Sequence, residues 1–96
     1  MIRNFSNKIA EHVYDGIMSR HSRKLPLELH GKAQRLLDQL NTITRLDTLR
    51  IPPSNHLEKL KGSLAGYWSL RINNQWRIMF KWENEETCDV TILDYH

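Results

Sequence analysis

The chain has 96 residues, enough for one domain with a modest core. Hydrophobic residues make up 40% and charged residues 26%, as in a water-soluble globular chain, and no stretch approaches the roughly 20 apolar residues of a membrane span. Formal net charge is +3, a mild excess that suits a polyanionic partner without demanding one, and the single cysteine, Cys88, excludes an internal disulfide and points to a reducing, cytoplasmic setting.

In chain order, residues 1–5 (MIRNF) read as a short first strand. The N-terminus intersperses charges and lacks the apolar core of a secretory signal. Ser6 is placed to cap a helix over about residues 7–20, in which Ile9, Ala10, Val13, Tyr14 and Ile17 recur at helical spacing. Gly16 weakens that helix slightly, and SRHSRK is a linker. A second helix starts at Pro26 with Glu28 in its first turn. Its stripe is Leu29, Ala33, Leu36, Leu37, Leu40 and Ile43. LDTLRIPPSN is a loop, because Pro52 and Pro53 cannot continue a helix.

The period then changes to two. HLEKLKG is a weakly patterned strand. In GYWSLRI, Trp68, Leu70 and Ile72 alternate with Tyr67, Ser69 and Arg71. In QWRIMFKW, Trp76, Ile78, Phe80 and Trp82 alternate with Gln75, Arg77, Met79 and Lys81. ENEE turns the chain into a last strand over residues 87–93. Helices first and antiparallel strands later indicate an α+β domain spanning residues 1–96, with both helices covering one face of the sheet.

The hairpin register follows from the two faces. A two-residue turn at Asn73-Asn74 would set Arg71 against Trp76 and mix polar with apolar sides. A three-residue loop, Asn73-Asn74-Gln75, sets Ile72 against Trp76, Leu70 against Ile78 and Trp68 against Phe80. Arg71 then lies opposite Arg77, Ser69 opposite Met79 and Tyr67 opposite Lys81. Like charges opposed in this way repel. Either an anion relieves them, making Arg71, Arg77 and Lys81 with Tyr67 a phosphate-binding patch, or the face is a solvated basic surface.

His12, His21, His30, His56 and His96 form no HxxxH pair, and no P-loop, GxGxxG or GxSxG is present. His12, His21 and His30 read as surface or partly packed side chains, and Cys88 as a half-buried strand residue. His56 sits where a ligand is within reach, although packing is the simpler reading. The remaining set, Lys61, Arg71, Arg77, Asp94, Tyr95 and His96, suits metal-free RNA cleavage among other possibilities. Attack of a 2′-hydroxyl on its own phosphate needs a base, cations on the phosphorane, and an acid for the leaving 5′ oxygen. Histidine titrates in the useful range, and tyrosine offers a ring for base stacking.

LKG, G-Y-W-S-L-R, Q-W-R-I and the terminal D-Y-H, with the MIRNF start and the LRIPPSN loop, closely resemble the HigB-type toxins of the RelE/ParE toxin-antitoxin superfamily. The resemblance covers nearly the whole chain. It implies a RelE-like α+β microdomain and a ribosome-dependent, metal-free endonuclease that cuts mRNA in the ribosomal A site. It implies a HigA-like helix-turn-helix antitoxin as partner, with operator DNA bound only through that antitoxin, and no membrane or cofactor. Carried over, the catalytic positions are Lys61, Arg77, Asp94, Tyr95 and His96. His96 would act as the general acid or an acid-base group, Lys61 and Arg77 on phosphate charge, Asp94 as an orienting group and Tyr95 on the nucleotide. Arg71, Lys81, Tyr67 and Lys59 would bind RNA or phosphate. Some members carry a histidine at the position of Glu58, in L-H-P-L-K-G. The alternative function is a catalytically weak or inactive RelE/ParE-like module that binds a protein target or only its antitoxin.

Strand parity puts Val90, Ile92, Asp94 and His96 on one side and Leu93 and Tyr95 on the other. Tyr95 and His96 cannot both face one phosphate from a flat strand, so pairing is expected to end or twist near Asp94. A terminal carboxylate beside His96 would raise its pKa.

Overall fold

The computed structural model describes residues 1–95. Two α-helices, α1 (Lys8–Asp15) and α2 (His30–Thr42), precede four strands: β1 (Glu58–Lys59), β2 (Trp68–Arg71), β3 (Trp76–Glu83) and β4 (Glu86–Asp94). The strands form one antiparallel sheet in the order β1-β2-β3-β4. The fold is therefore mixed α and β with a four-stranded antiparallel sheet.

The first helix is shorter than its periodicity suggests. Asn7, not Ser6, caps it, its side chain accepting from the Ala10 N–H at 3.0 Å. Gly16 does more than weaken the helix. It takes the left-handed conformation, φ 71°, and stops the chain at Asp15. Ile17 falls outside the helix and is exposed, so the stripe closes with Ala10 and Val13.

Pro26 precedes a single 3-10 turn (Leu27–Leu29) before α2 begins. Ala33, Leu36, Leu37 and Leu40 are buried along α2, and Ile43 is buried at its cap. His30 is packed more fully than the surface or partly packed side chain expected. It is buried, and its Nε2–H points at the Ser22 and Leu25 carbonyls, both at 2.9 Å. Two backbone acceptors satisfy this ring, which ties the linker to α2 and explains the burial.

Residues 1–5 do not form a named strand. Ile2 and Phe5 make isolated parallel bridges to Thr87 and Val90, so the segment lies along β4. HLEKLKG contributes only Glu58 and Lys59 to the sheet. The β2–β3 pairing is Trp68 with Phe80, Ser69 with Met79, Leu70 with Ile78 and Arg71 with Arg77. The Ile72 and Asn73 N–H groups both donate to the Trp76 carbonyl, and the Asn73 side chain accepts from the Gln75 and Trp76 N–H groups. That asparagine side chain holds the three-residue loop that strand alternation required. Asn84 and Glu85, both at positive φ, turn β3 into β4.

β4 carries a bulge. Met79 pairs with Thr91 but Lys81 pairs with Cys88, so one extra residue stands on β4, and Asp89 adopts φ 51° there. The bulge switches the parity of the strand. It lets Thr87 and Val90 both turn inward, where each is fully buried. Leu70, Ile72, Trp76, Ile78, Phe80, Val90 and Ile92 join the buried residues of both helices in one core.

Candidate functional site

The opposite face of the sheet gathers the charged residues. Arg71 and Arg77 sit opposite each other on β2 and β3, and Leu93 of β4 pairs with Arg77. Glu58 pairs with Ser69 across β1 and β2, which puts its carboxylate on the same face. Arg77 Nη1 lies 3.3 Å from Glu58 Oε1 and 3.4 Å from Ser69 Oγ. The Tyr95 ring lies over the Arg77 guanidinium, 5.1 Å from its centroid. Arg77 is therefore gripped from two sides, with its side chain 17% exposed.

Arg71 finds a different partner. Its Nη1 is 3.3 Å from His56 Nε2. A guanidinium can only donate, so Nε2 accepts and the imidazole proton sits on Nδ1 in this arrangement. His56 reaches this point from a left-handed backbone, φ 46°, at the end of a 3-10 turn (Pro53–Asn55). Histidine tolerates that conformation better than most side chains.

Further along the face, Lys81 Nζ lies 5.0 Å from the Tyr67 ring centroid and 3.7 Å from Asp89 Oδ2. The bulge that turns Val90 inward also supplies this acidic partner. Like-charge repulsion on the face is thus met by the carboxylates of Glu58 and Asp89 and by two tyrosine rings, while Arg71 donates to His56.

The chain stays bonded to β3 as far as Tyr95. β4 ends at Asp94, yet the Tyr95 N–H still donates to the Gln75 carbonyl at 2.7 Å. Gln75 Nε2 also donates to Asp94 Oδ2 at 2.8 Å. No break at Asp94 is needed to bring Tyr95 over Arg77, because alternation from Leu93 already puts it there. His96 lies outside the described residues.

The structure brings together Arg71, Arg77 and Tyr95, with Lys81 and Tyr67 farther along the same face. It does not bring Lys59 to them. Lys59 pairs with Trp68, on the register of the core-facing side, and its ammonium lies 5.9 Å from the Trp68 ring centroid. Lys61 is exposed in the turn after β1, immediately before a 3-10 turn (Gly62–Leu64). Asp94 stands on the core-side parity, opposite Trp76, and is exposed at the sheet's end. Glu58, Ser69 and Asp89 were given no role from sequence. For Ser69 the signal was available, since it shares the parity of Arg71; for Glu58 it was not, because its face follows only from the pairing of the two-residue β1 with Ser69. For Asp89 it was not, because the bulge breaks the alternation. Among the described residues no group of three or more His, Cys, Asp or Glu side chains is placed to hold a metal ion, and no helix is long and apolar enough to cross a membrane.

The chain is similar to known proteins in sequence and in fold. Residues 3–96 match the family model described as the RelE-like toxin of type II toxin-antitoxin system HigB. Toxin HigB-1 of Vibrio cholerae serotype O1 is 33% identical over 96 residues, covering 100% of this chain and 98% of that protein. Endoribonuclease HigB of Proteus vulgaris is 28% identical over 97 residues, covering 100% of both. The solved YoeB-YefM complex from Staphylococcus aureus contains a chain with the same fold, TM-score 0.62 at 21% identity, covering 100% of this chain and 95% of that one.

Proposed function

The chain belongs to the HigB-like family of RelE-like toxins of type II toxin-antitoxin systems, and we propose that it inhibits translation as an endoribonuclease cutting mRNA on the ribosome. The Proteus vulgaris relative is named an endoribonuclease. One observation on this chain carries the reading. Arg77 is fixed by Glu58, Ser69 and Tyr95 on the sheet face that the core leaves open. A cation held in advance where a phosphorane gains charge costs little reorganisation during the reaction.

In this account water takes the 2′-hydroxyl proton, the 2′ oxygen bonds to the adjacent phosphorus, and the bond to the 5′ oxygen breaks. Arg77, with Lys61, takes the growing phosphate charge. His96 protonates the departing 5′ oxygen. Asp94 orients a neighbour, and Tyr95 supplies a ring on which a nucleotide stacks while also covering Arg77. Arg71, Lys81 and Tyr67 hold flanking RNA on this face, and Lys59 does so from the other side of the β1 edge.

The reading requires one free sheet face. We take both helices to pack on the side that carries Leu70, Ile78, Phe80 and Ile92; the single buried cluster they share with α1 and α2 supports this. The partner is a HigA-like helix-turn-helix antitoxin, through which alone operator DNA would be bound. The site of action is the ribosomal A site, in the cytoplasm. A second reading, a module that binds without cutting, draws on the carboxylates already seated against Arg77 and Lys81.

Mapping of transcript ends in a translating extract separates the two. The toxin is expected to produce new mRNA 5′ ends that depend on ribosomes. His96→Ala is expected to abolish them while the protein stays folded. Growth inhibition without mRNA cuts, or wild-type cutting by His96→Ala, counts against the assigned chemistry.

A further inference from the structure

A second concentration of positive charge lies away from the sheet face, and its charges are less well matched. Arg77 and Lys81 on the sheet each have a carboxylate partner. At the corner where α1 stops, the chain runs from Gly16 through Ile17, Met18, Ser19 and Arg20 into a 3-10 turn (Ser22–Lys24). Arg20, Arg23 and Lys24 are exposed there and make no ion pair among the described residues. Lys8 meets Glu11 at 3.5 Å.

Two histidines stand inside this group. The His12 and His21 rings meet edge to face, 5.5 Å between centroids, and His12 Nδ1 lies 2.7 Å from Ser19 Oγ. Loss of hydration, followed by repulsion from Arg20, His12, Lys24 and Lys8, holds the His21 imidazole below its ordinary pKa. The corner is built rather than loose. Ser19 and Ser22 exchange hydrogen bonds, and Ile17 N–H donates to the His12 carbonyl at 2.9 Å. Beside the cations, Ile17 is 46% exposed and Met18 53%.

We propose that this corner, formed by Ile17, Met18, Arg20, His21 and Lys24, docks an acidic segment of the antitoxin that also carries apolar side chains. The inference rests on the toxin-antitoxin reading above. Charge complementarity selects an anionic partner. The apolar pair selects a polypeptide over a nucleic acid backbone, because phosphates use the cations alone, whereas methionine and buried apolar contacts mark the centres of protein interfaces. The segment's carboxylates would meet Arg20 and Lys24, and its apolar side chains would cover Ile17 and Met18.

The test uses the full-length toxin, the purified product of the adjacent antitoxin gene and purified ribosomes programmed with mRNA. Calorimetry gives antitoxin affinity, and primer extension gives the cleavage rate of the free toxin. Arg20→Glu combined with Lys24→Glu is expected to raise the antitoxin Kd by about tenfold or more through like-charge contact. Met18→Ser is expected to raise it by a smaller factor, and both variants should cut mRNA at the wild-type rate. Antitoxin binding unchanged in both variants overturns the proposal, whatever happens to cleavage. A loss of cleavage with the fold intact by circular dichroism also overturns it, because the corner would then serve ribosomal RNA. If the wild-type toxin neither binds the antitoxin nor cuts mRNA, the toxin reading itself fails and takes this inference with it. If the wild type does both and the variants match it, the docking inference alone fails.

Discussion

On the core-facing side of the sheet, Leu70, Ile78, Phe80 and Ile92 are fully buried in one apolar cluster. On the other side, Glu58, Ser69, Arg71, Arg77, Lys81 and Tyr95 are held in place by mutual polar contacts. The first face derives its stability from area removed from water, which is insensitive to the identity of any one partner. The second depends on pairwise geometry, in which each group fixes another at little net stability. On the proposed function, stability and chemistry fall on opposite sides of the same strands, where alternate residues of one segment can change independently.

Substitutions on the two faces should therefore differ in size and kind. The largest loss of stability is expected for Phe80→Ala, about 3–5 kcal/mol by denaturant unfolding, because a fully buried ring leaves a cavity. Asn7→Ala removes the α1 cap and the 2.8 Å bond from Asn7 Nδ2 to the Ile92 carbonyl. A loss of about 1–2 kcal/mol is expected by the same measurement. Glu58→Gln, on the outer face, should cost no more than about 1 kcal/mol, since its carboxylate is half exposed and screened by solvent. A loss as large as that of Phe80→Ala would erase the distinction between the faces.

The smallest effect concerns the basic corner. In an NMR titration His21 should titrate below the ordinary histidine value, and Arg20→Gln with Lys24→Gln should move it upward. A histidine whose folded pKa is depressed binds protons more readily when unfolded. Its contribution to stability is thus complete above the ordinary value and declines as pH falls toward the folded pKa. A His21 titration unchanged by those substitutions would remove the electrostatic coupling assigned to the corner.

The apolar face was readable before any coordinates, and so was the hairpin. Trp68, Leu70, Ile78 and Phe80 alternate strictly, and only one loop length keeps them together, which fixes Arg71 opposite Arg77. Tyr95 over Arg77 follows the same parity once Leu93 is paired with Arg77, a register that only the structure supplies. What escaped the pattern depends on single backbone conformations or on distant partners. Gly16 in the left-handed region ends α1 early, and Asp89 at positive φ shifts β4 by one residue. Neither event leaves a periodic trace. The burial of His30 depends on two carbonyls of the preceding linker, and the pairing of Glu58 with Arg77 on a strand only two residues long. Lys59 illustrates the converse. Its charge drew it into the expected RNA-binding set, but its register lies with Trp68.

The most direct test of the division between the faces is the rate of ribosome-dependent mRNA cleavage by Arg77→Ala, measured beside its unfolding midpoint. The rate should fall on the order of 10²–10³-fold, as when one preorganised charge-stabilising donor is removed, while stability changes far less than in Phe80→Ala. Cleavage at the wild-type rate by a folded Arg77→Ala protein would contradict the account.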